Sequence, residues 1–200
     1  MRRRALIGSL AGLAAGSVGY MLALGAWQAR EQQAADDPRP LPLTEMGWRL
    51  TDHRGQPVTP ADWQGRPVMV FFGFTFCPDI CPTTLLNISD WMATLGVDAD
   101  RLTAALVTVD PARDTPEALA DYLSNFDPRI IGLTGSAEDI ARIARDFRAT
   151  YQQVPTGDGD YTMDHTAGVF LFRPDGRLAN VIDFHENPAL AVPKIRRVLR

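Results

Sequence analysis

The 200-residue chain has only two cysteines, and both fall in one short stretch, FTFCPDICPTTL at 74–85. Random placement would give this separation about once in a hundred. Proline follows each cysteine, at Pro78 and Pro82. A residue before proline is biased away from helical torsions, which predicts a shaped loop here rather than a helical turn. Pro82 suits the first position of a helix, so Cys81 is expected close to a helix N-terminus, where the positive end of the dipole favours thiolate. A thiolate is both a nucleophile and a soft metal ligand.

Three chemistries are open to such a pair. A structural disulfide closing so short a loop would restrain little of the unfolded chain. A dithiol redox centre is the second, although the familiar redox motif has two intervening residues and this one has three. A metal site is the third, and it needs another ligand. Of the three histidines, His53 falls in a polar turn and His185 follows the last strand, both solvated positions. His165, in YTMDHTAGVFLF, stands where the chain enters a terminal hairpin. Two sulfurs and one imidazole are too few for a closed structural zinc site. Three soft or borderline donors suit copper, giving a formal charge of −1 with Cu(I) and zero with Cu(II). Met163 offers a thioether nearby, and packing is its ordinary role.

The elements that must position these groups can be read in chain order. WRLTDHRGQPV (48–58) predicts two short strands about a turn at Asp52–Gly55, and TPADWQG a helical turn capped by Thr59. PVMVFFGF (67–74) and LTAALVTVD (102–110) are continuous apolar runs of strand length, as in strands buried on both faces. Between them Leu85, Ile88, Met92 and Leu95 repeat at helical spacing, which implies a parallel crossover. A helix opened by Thr115 and Pro116, a third strand at RIIGLTG and a helix capped by Ser136 follow. A hairpin turning at Pro174–Gly176 and a last helix, delayed or kinked by Pro193, close the chain. This order predicts an α/β thioredoxin-like fold, a central mixed sheet flanked by helices. In such a sheet the functional crevice lies beyond the carboxyl ends of the parallel strands, where the cysteines fall.

Ahead of this domain, Arg2–Arg4 precede 23 uncharged residues from Ala5 to Trp27. At about 1.5 Å per residue such a helix crosses a hydrocarbon core of about 30 Å. The expected organisation is a cytoplasmic basic segment at 1–4, a transmembrane anchor or uncleaved signal at 5–27, a proline-rich linker at 28–45 and the domain at 46–200. The arginines stay inside, so the domain faces the periplasm of a bacterial inner membrane as a single-pass protein. The net charge of −4 becomes −7 once those three arginines are set aside, a balance that argues against nucleic acid as a partner.

The motifs VFFGFTFCPDICP (70–82), VTVDPARDTPEAL (107–119), IIGLTG (130–135) and YTMDHT (161–166) occur in this order over nearly all of the exported domain. In them the chain resembles the Sco/SenC family of copper-binding assembly factors for cytochrome c oxidase. The resemblance implies one copper ion held by Cys77, Cys81 and His165, and a partner in oxidase subunit II, whose dinuclear copper centre receives copper or has its thiols reduced. It makes the protein a metallochaperone rather than an enzyme, with extracytoplasmic thiol-disulfide oxidoreductase activity, cycling Cys77 and Cys81 through a redox disulfide, as the alternative. Other periplasmic copper chaperones are further implied partners. The family motifs also bring Asp79, Asp110 and Asp164 near the site, although strand alternation turns Asp164 away from His165. Asp110 and Arg113 can equally pair locally within the DPARDT loop. Many members carry histidine just before the first cysteine, where this chain has Phe76, a departure that leaves the three ligands intact.

Overall fold

The computed structural model describes residues 20–28, 38–157 and 159–200. Arg2–Arg4, the beginning of the apolar run and linker residues 29–37 lie outside the described residues. Residues 20–28 are helical, and no described helix is long and apolar enough to cross a membrane. The chain divides at Pro38 and Arg39, and all the candidate side chains belong to the second unit, Arg39–Arg200.

That unit is mixed α/β. Its strands are β1 (Leu50–Asp52), β2 (Pro57–Val58), β3 (Val68–Gly73), β4 (Thr103–Thr108), β5 (Ile130–Thr134), β6 (Tyr151–Pro155), β7 (Tyr161–His165), β8 (Val169–Phe172) and β9 (Leu178–Ile182). Its helices are α1 (Ile80–Leu95), α2 (Pro116–Leu123), α3 (Ala137–Asp146) and α4 (Ala191–Val198). Seven strands form one sheet in the order β2-β1-β5-β4-β3-β8-β9. The pairs β3–β4 and β4–β5 are parallel, whereas β8 joins β3 antiparallel. Every residue of β3 is buried, and all of β4 but its first, because helices cover a sheet whose middle strands see no water. The continuous apolar runs in the sequence therefore mark the centre of the sheet.

Local chemistry fixes the helix starts. The Thr115 hydroxyl accepts from the Ala118 amide with Pro116 in the first turn, and the Ser136 hydroxyl accepts from the Asp139 amide. Pro193 lies in the first turn of α4, where a missing N–H costs nothing, so it sets where that helix begins. Phe147, just past α3, packs edge-on against Phe72, Phe170 and Phe172 at ring separations of 5.3, 5.5 and 5.3 Å. Such pairs each add about 0.5–1.5 kcal/mol beyond area burial, and they pin α3 to the strands that carry the site.

Two features differ from the sequence reading. The first helix begins at Ile80, so Cys81 and Pro82 lie inside its first turn and the loop is only Phe74–Asp79. Amides of a first turn need no intrahelical acceptor, which is why Pro82 is accommodated there. Secondly, β6 and β7 form a separate two-stranded antiparallel sheet, with Tyr151 opposite His165 and Pro155 opposite Tyr161. His165 thus ends a strand of its own hairpin rather than leading into β8.

Candidate metal centre

The site assembles at the carboxyl end of β3. Turning out of that strand, the chain makes a Cys77 N–H to Phe74 carbonyl bond of 3.3 Å and leaves Cys77 half-buried. One helical turn on, Cys81 is fully buried, and its own amide donates to Cys77 Sγ at 3.4 Å. A sulfur therefore caps the helix, in the place where a serine or aspartate oxygen ordinarily sits. From the β6–β7 hairpin His165 brings its Nε2 to 3.4 Å from Cys81 Sγ, across 84 positions of sequence. The imidazole packs edge-on to Phe71 and Phe74, at 6.0 and 5.9 Å between ring centres.

The ligand atoms of Cys77, Cys81 and His165 all lie within 4.8 Å of one another. Three donors around a metal at about 2.0–2.3 Å stand about 3.5–4 Å apart in a trigonal arrangement, so the observed triangle needs only a small contraction. Nδ1 of His165 lies 3.0 Å from the Thr166 carbonyl. A carbonyl can only accept, so Nδ1 bears a proton, which leaves Nε2 as the ring nitrogen available to a metal.

The two thiols are electrostatically unlike. A hydrogen bond from Cys81 lowers the Cys77 pKa from the ordinary 9.0 to about 4, opposed by partial burial and helped by the His165 ring and by the backbone amides of Cys81 and Asp79. The same hydrogen bond, with burial, pushes Cys81 far up, so the thiolate expected at Cys81 from the helix dipole falls on Cys77 instead. The pair thus shares one proton between two sulfurs, and a soft cation that displaces it makes both of them thiolates.

The acids follow the sequence reading only in part. Asp79 is exposed and acts on Cys77 through its amide, not its carboxylate. Asp164 is exposed, and the Thr166 carbonyl, not that carboxylate, holds the His165 ring. Asp110 is buried, ion-paired to Arg113 and hydrogen-bonded by the Tyr161 hydroxyl at 2.9 Å. The acid that sequence reasoning passed over is Asp114. It is fully buried and accepts from the Thr75 amide at 3.1 Å, the Thr75 hydroxyl at 2.6 Å and the Thr108 hydroxyl at 2.5 Å. It thereby splices the cysteine loop to the end of β4. Its only sequence signal was a second aspartate in DPARDT. Met163 packs against the core as a partly buried side chain. His53 is half-buried rather than solvated, its Nδ1 accepting from the Gly132 amide at 2.9 Å, and His185 is exposed beside Asp183.

Comparison with known proteins finds relatives over most of the chain. The SCO1/SenC family model matches residues 36–200. The mouse (Mus musculus) mitochondrial SCO2 homologue is 36% identical over 200 residues, covering 98% of this chain and 78% of its own length. Among solved structures, copper-bound ScoI of Bradyrhizobium japonicum is 41% identical with a TM-score of 0.72, over 80% of this chain and 99% of that one. Copper-bound yeast Sco1 is 31% identical with a TM-score of 0.70, over 80% and 87%.

Proposed function

The chain belongs to the SCO1/SenC family, copper-binding proteins of cytochrome c oxidase assembly, and from that premise we propose that it is a copper metallochaperone holding one ion through Cys77, Cys81 and His165. The observation that carries the reading is the meeting of two sulfurs and one imidazole nitrogen within 4.8 Å. A three-donor site, half-open at Cys77, holds Cu(I) without closing its coordination, so an acceptor's ligand can enter before a donor leaves. The acceptor in this reading is the dinuclear copper centre of oxidase subunit II, and other periplasmic copper chaperones supply the ion. The run at 5–27 anchors the domain to the bacterial inner membrane, facing the periplasm.

One observation favours a second reading. Cys77 is a half-exposed thiolate with Cys81 behind it, the arrangement of an attacking and a resolving thiol. Cys77 would attack a disulfide of the target, releasing one of its thiols, and Cys81 would displace the other, leaving a reduced target and a Cys77–Cys81 disulfide. A deletion strain assayed for oxidase activity with and without added copper separates the two. Copper supply predicts that excess metal restores activity. Thiol reduction predicts that it does not, and that an added reductant does.

A further inference from the structure

Arg113, in the loop between β4 and α2, touches three separate chain segments with one guanidinium group. Its Nε is paired with Asp110 of its own loop, which also takes the Tyr161 hydroxyl at 2.9 Å. Its Nη1 donates to the Tyr161 carbonyl at 3.1 Å and to Asp160 at 3.3 Å, both on the His165 hairpin. Its flat faces meet two rings: Tyr161 with 3.8 Å to the centroid, and Phe76, the residue before Cys77, at 4.6 Å. Phe76 is 61% exposed, yet the Arg113 side chain between these groups is only 17% exposed. Among the described residues the buried Nη2 has no hydrogen-bond partner. The guanidinium is therefore held by its stacking faces and two of its three nitrogens.

We propose that Arg113 is a positioning residue that clamps the β6–β7 hairpin to the cysteine loop and so holds His165 in place before copper arrives. A two-stranded hairpin is marginal by itself. This one belongs to neither edge of the main sheet, so contacts along its length must fix its position. Tyr161 opens β7 and His165 ends it, on the same face by strand alternation and about 13 Å apart. One end is held at the sulfurs and the aromatic rings of Phe71 and Phe74; the other is held by Arg113. Without the second hold, ordering the hairpin becomes part of the cost of binding metal. Phe76 gives the clamp its second face, which assigns a role to the exposed side chain just before Cys77.

This inference rests on His165 as third ligand, and its test keeps the two apart. Arg113→Lys retains the charge beside Asp110 and loses the planar stack and the fork, and Arg113→Gln loses the charge as well. In the copper-free protein, hydrogen exchange of the Tyr161–His165 amides should quicken about tenfold in both variants, the factor that a stacked cation of this kind is worth. Copper titration should show about tenfold weaker affinity and a reduced nitrogen signature in the Cu(II) spectrum. The exposed pair partner Arg142, substituted to lysine, should change neither. Wild-type exchange and affinity in Arg113→Lys would overturn the clamp. Faster exchange with wild-type affinity would overturn the positioning role. If His165→Ala binds copper as wild type does, the ligand assignment fails, while the exchange data still decide whether the clamp exists.

Discussion

A methyl group added at Gly73 tests whether the sulfur and the imidazole are held by the packing described above. Gly73 ends β3, and a Cβ built there would lie 2.9 Å from Phe71 Cε1, 3.1 Å from Cys81 Sγ and 3.1 Å from Leu106 Cδ1. Ordinary contact is about 3.5–4.0 Å, so the sulfur must retreat by about 0.4 Å or more. Phe71 is fully buried and lies edge-on to His165, so a shift of its ring reaches the third donor as well. Metal sites tolerate about 0.2 Å in ligand distance, and one alanine therefore disturbs two of three donors beyond tolerance. Overpacking costs about 1–3 kcal/mol, or about 3–10 °C in Tm for a domain of this size. Copper affinity should fall more steeply, by about 10- to 100-fold, as when the support of a ligand is lost. The assay is competitive copper titration beside thermal unfolding of the copper-free protein. Gly132→Ala is the control: its Cβ would meet Leu123 Cδ1 at 2.8 Å and Leu119 Cβ at 3.1 Å, under α2 and away from the ligands. It should lose a similar Tm and keep its copper affinity. Equal affinities in the two variants would refute the claim that Gly73 leaves room for the sulfur.

Two further outcomes follow from the electrostatics. Cys77, with its pKa lowered to about 4, should react with iodoacetamide at a rate flat between pH 6 and 8, and bound copper should block it. An ordinary thiol would instead quicken about tenfold per pH unit below its pKa of about 8.5, and that result would contradict the thiolate assignment. Asp114→Ala leaves three donors from Thr75 and Thr108 without their acceptor and should destabilise the domain by about 3 kcal/mol or more in urea unfolding. Burial raises the folded pKa of Asp114 above 3.8, so its favourable contribution is complete below pH 3.8 and lost as pH rises through the folded value. The penalty of Asp114→Asn, which mimics the protonated acid, should accordingly shrink from pH 4 to pH 7. A penalty that grows with pH would contradict the burial argument.

The centre of the fold was legible because burial on both faces leaves an unbroken apolar run, as in VMVFFG and TAALVT. The caps Thr115 and Ser136 were legible because capping is local chemistry. The β6–β7 hairpin was not. Its residues are half-buried or exposed without a period of two, so no hydrophobic alternation announces it. The start of α1 was misplaced by two residues because proline was read as marking the first position, whereas any first-turn position tolerates it. Cys77, Cys81 and His165 could be picked out as a set because thiols and imidazoles are few in this chain. Asp114 and Arg113 could not. Their roles lie in partners such as Thr75, Phe76 and Tyr161, which only the folded chain brings to them.

The most direct test of the proposed site is X-ray absorption of the copper-loaded protein, with wild type and His165→Ala side by side. The account predicts two sulfur neighbours at about 2.3 Å and one nitrogen at about 2.0 Å in wild type, with the nitrogen lost and both sulfurs kept in the variant. A copper shell unchanged by removal of the imidazole, or one holding fewer than two sulfurs in wild type, would contradict it.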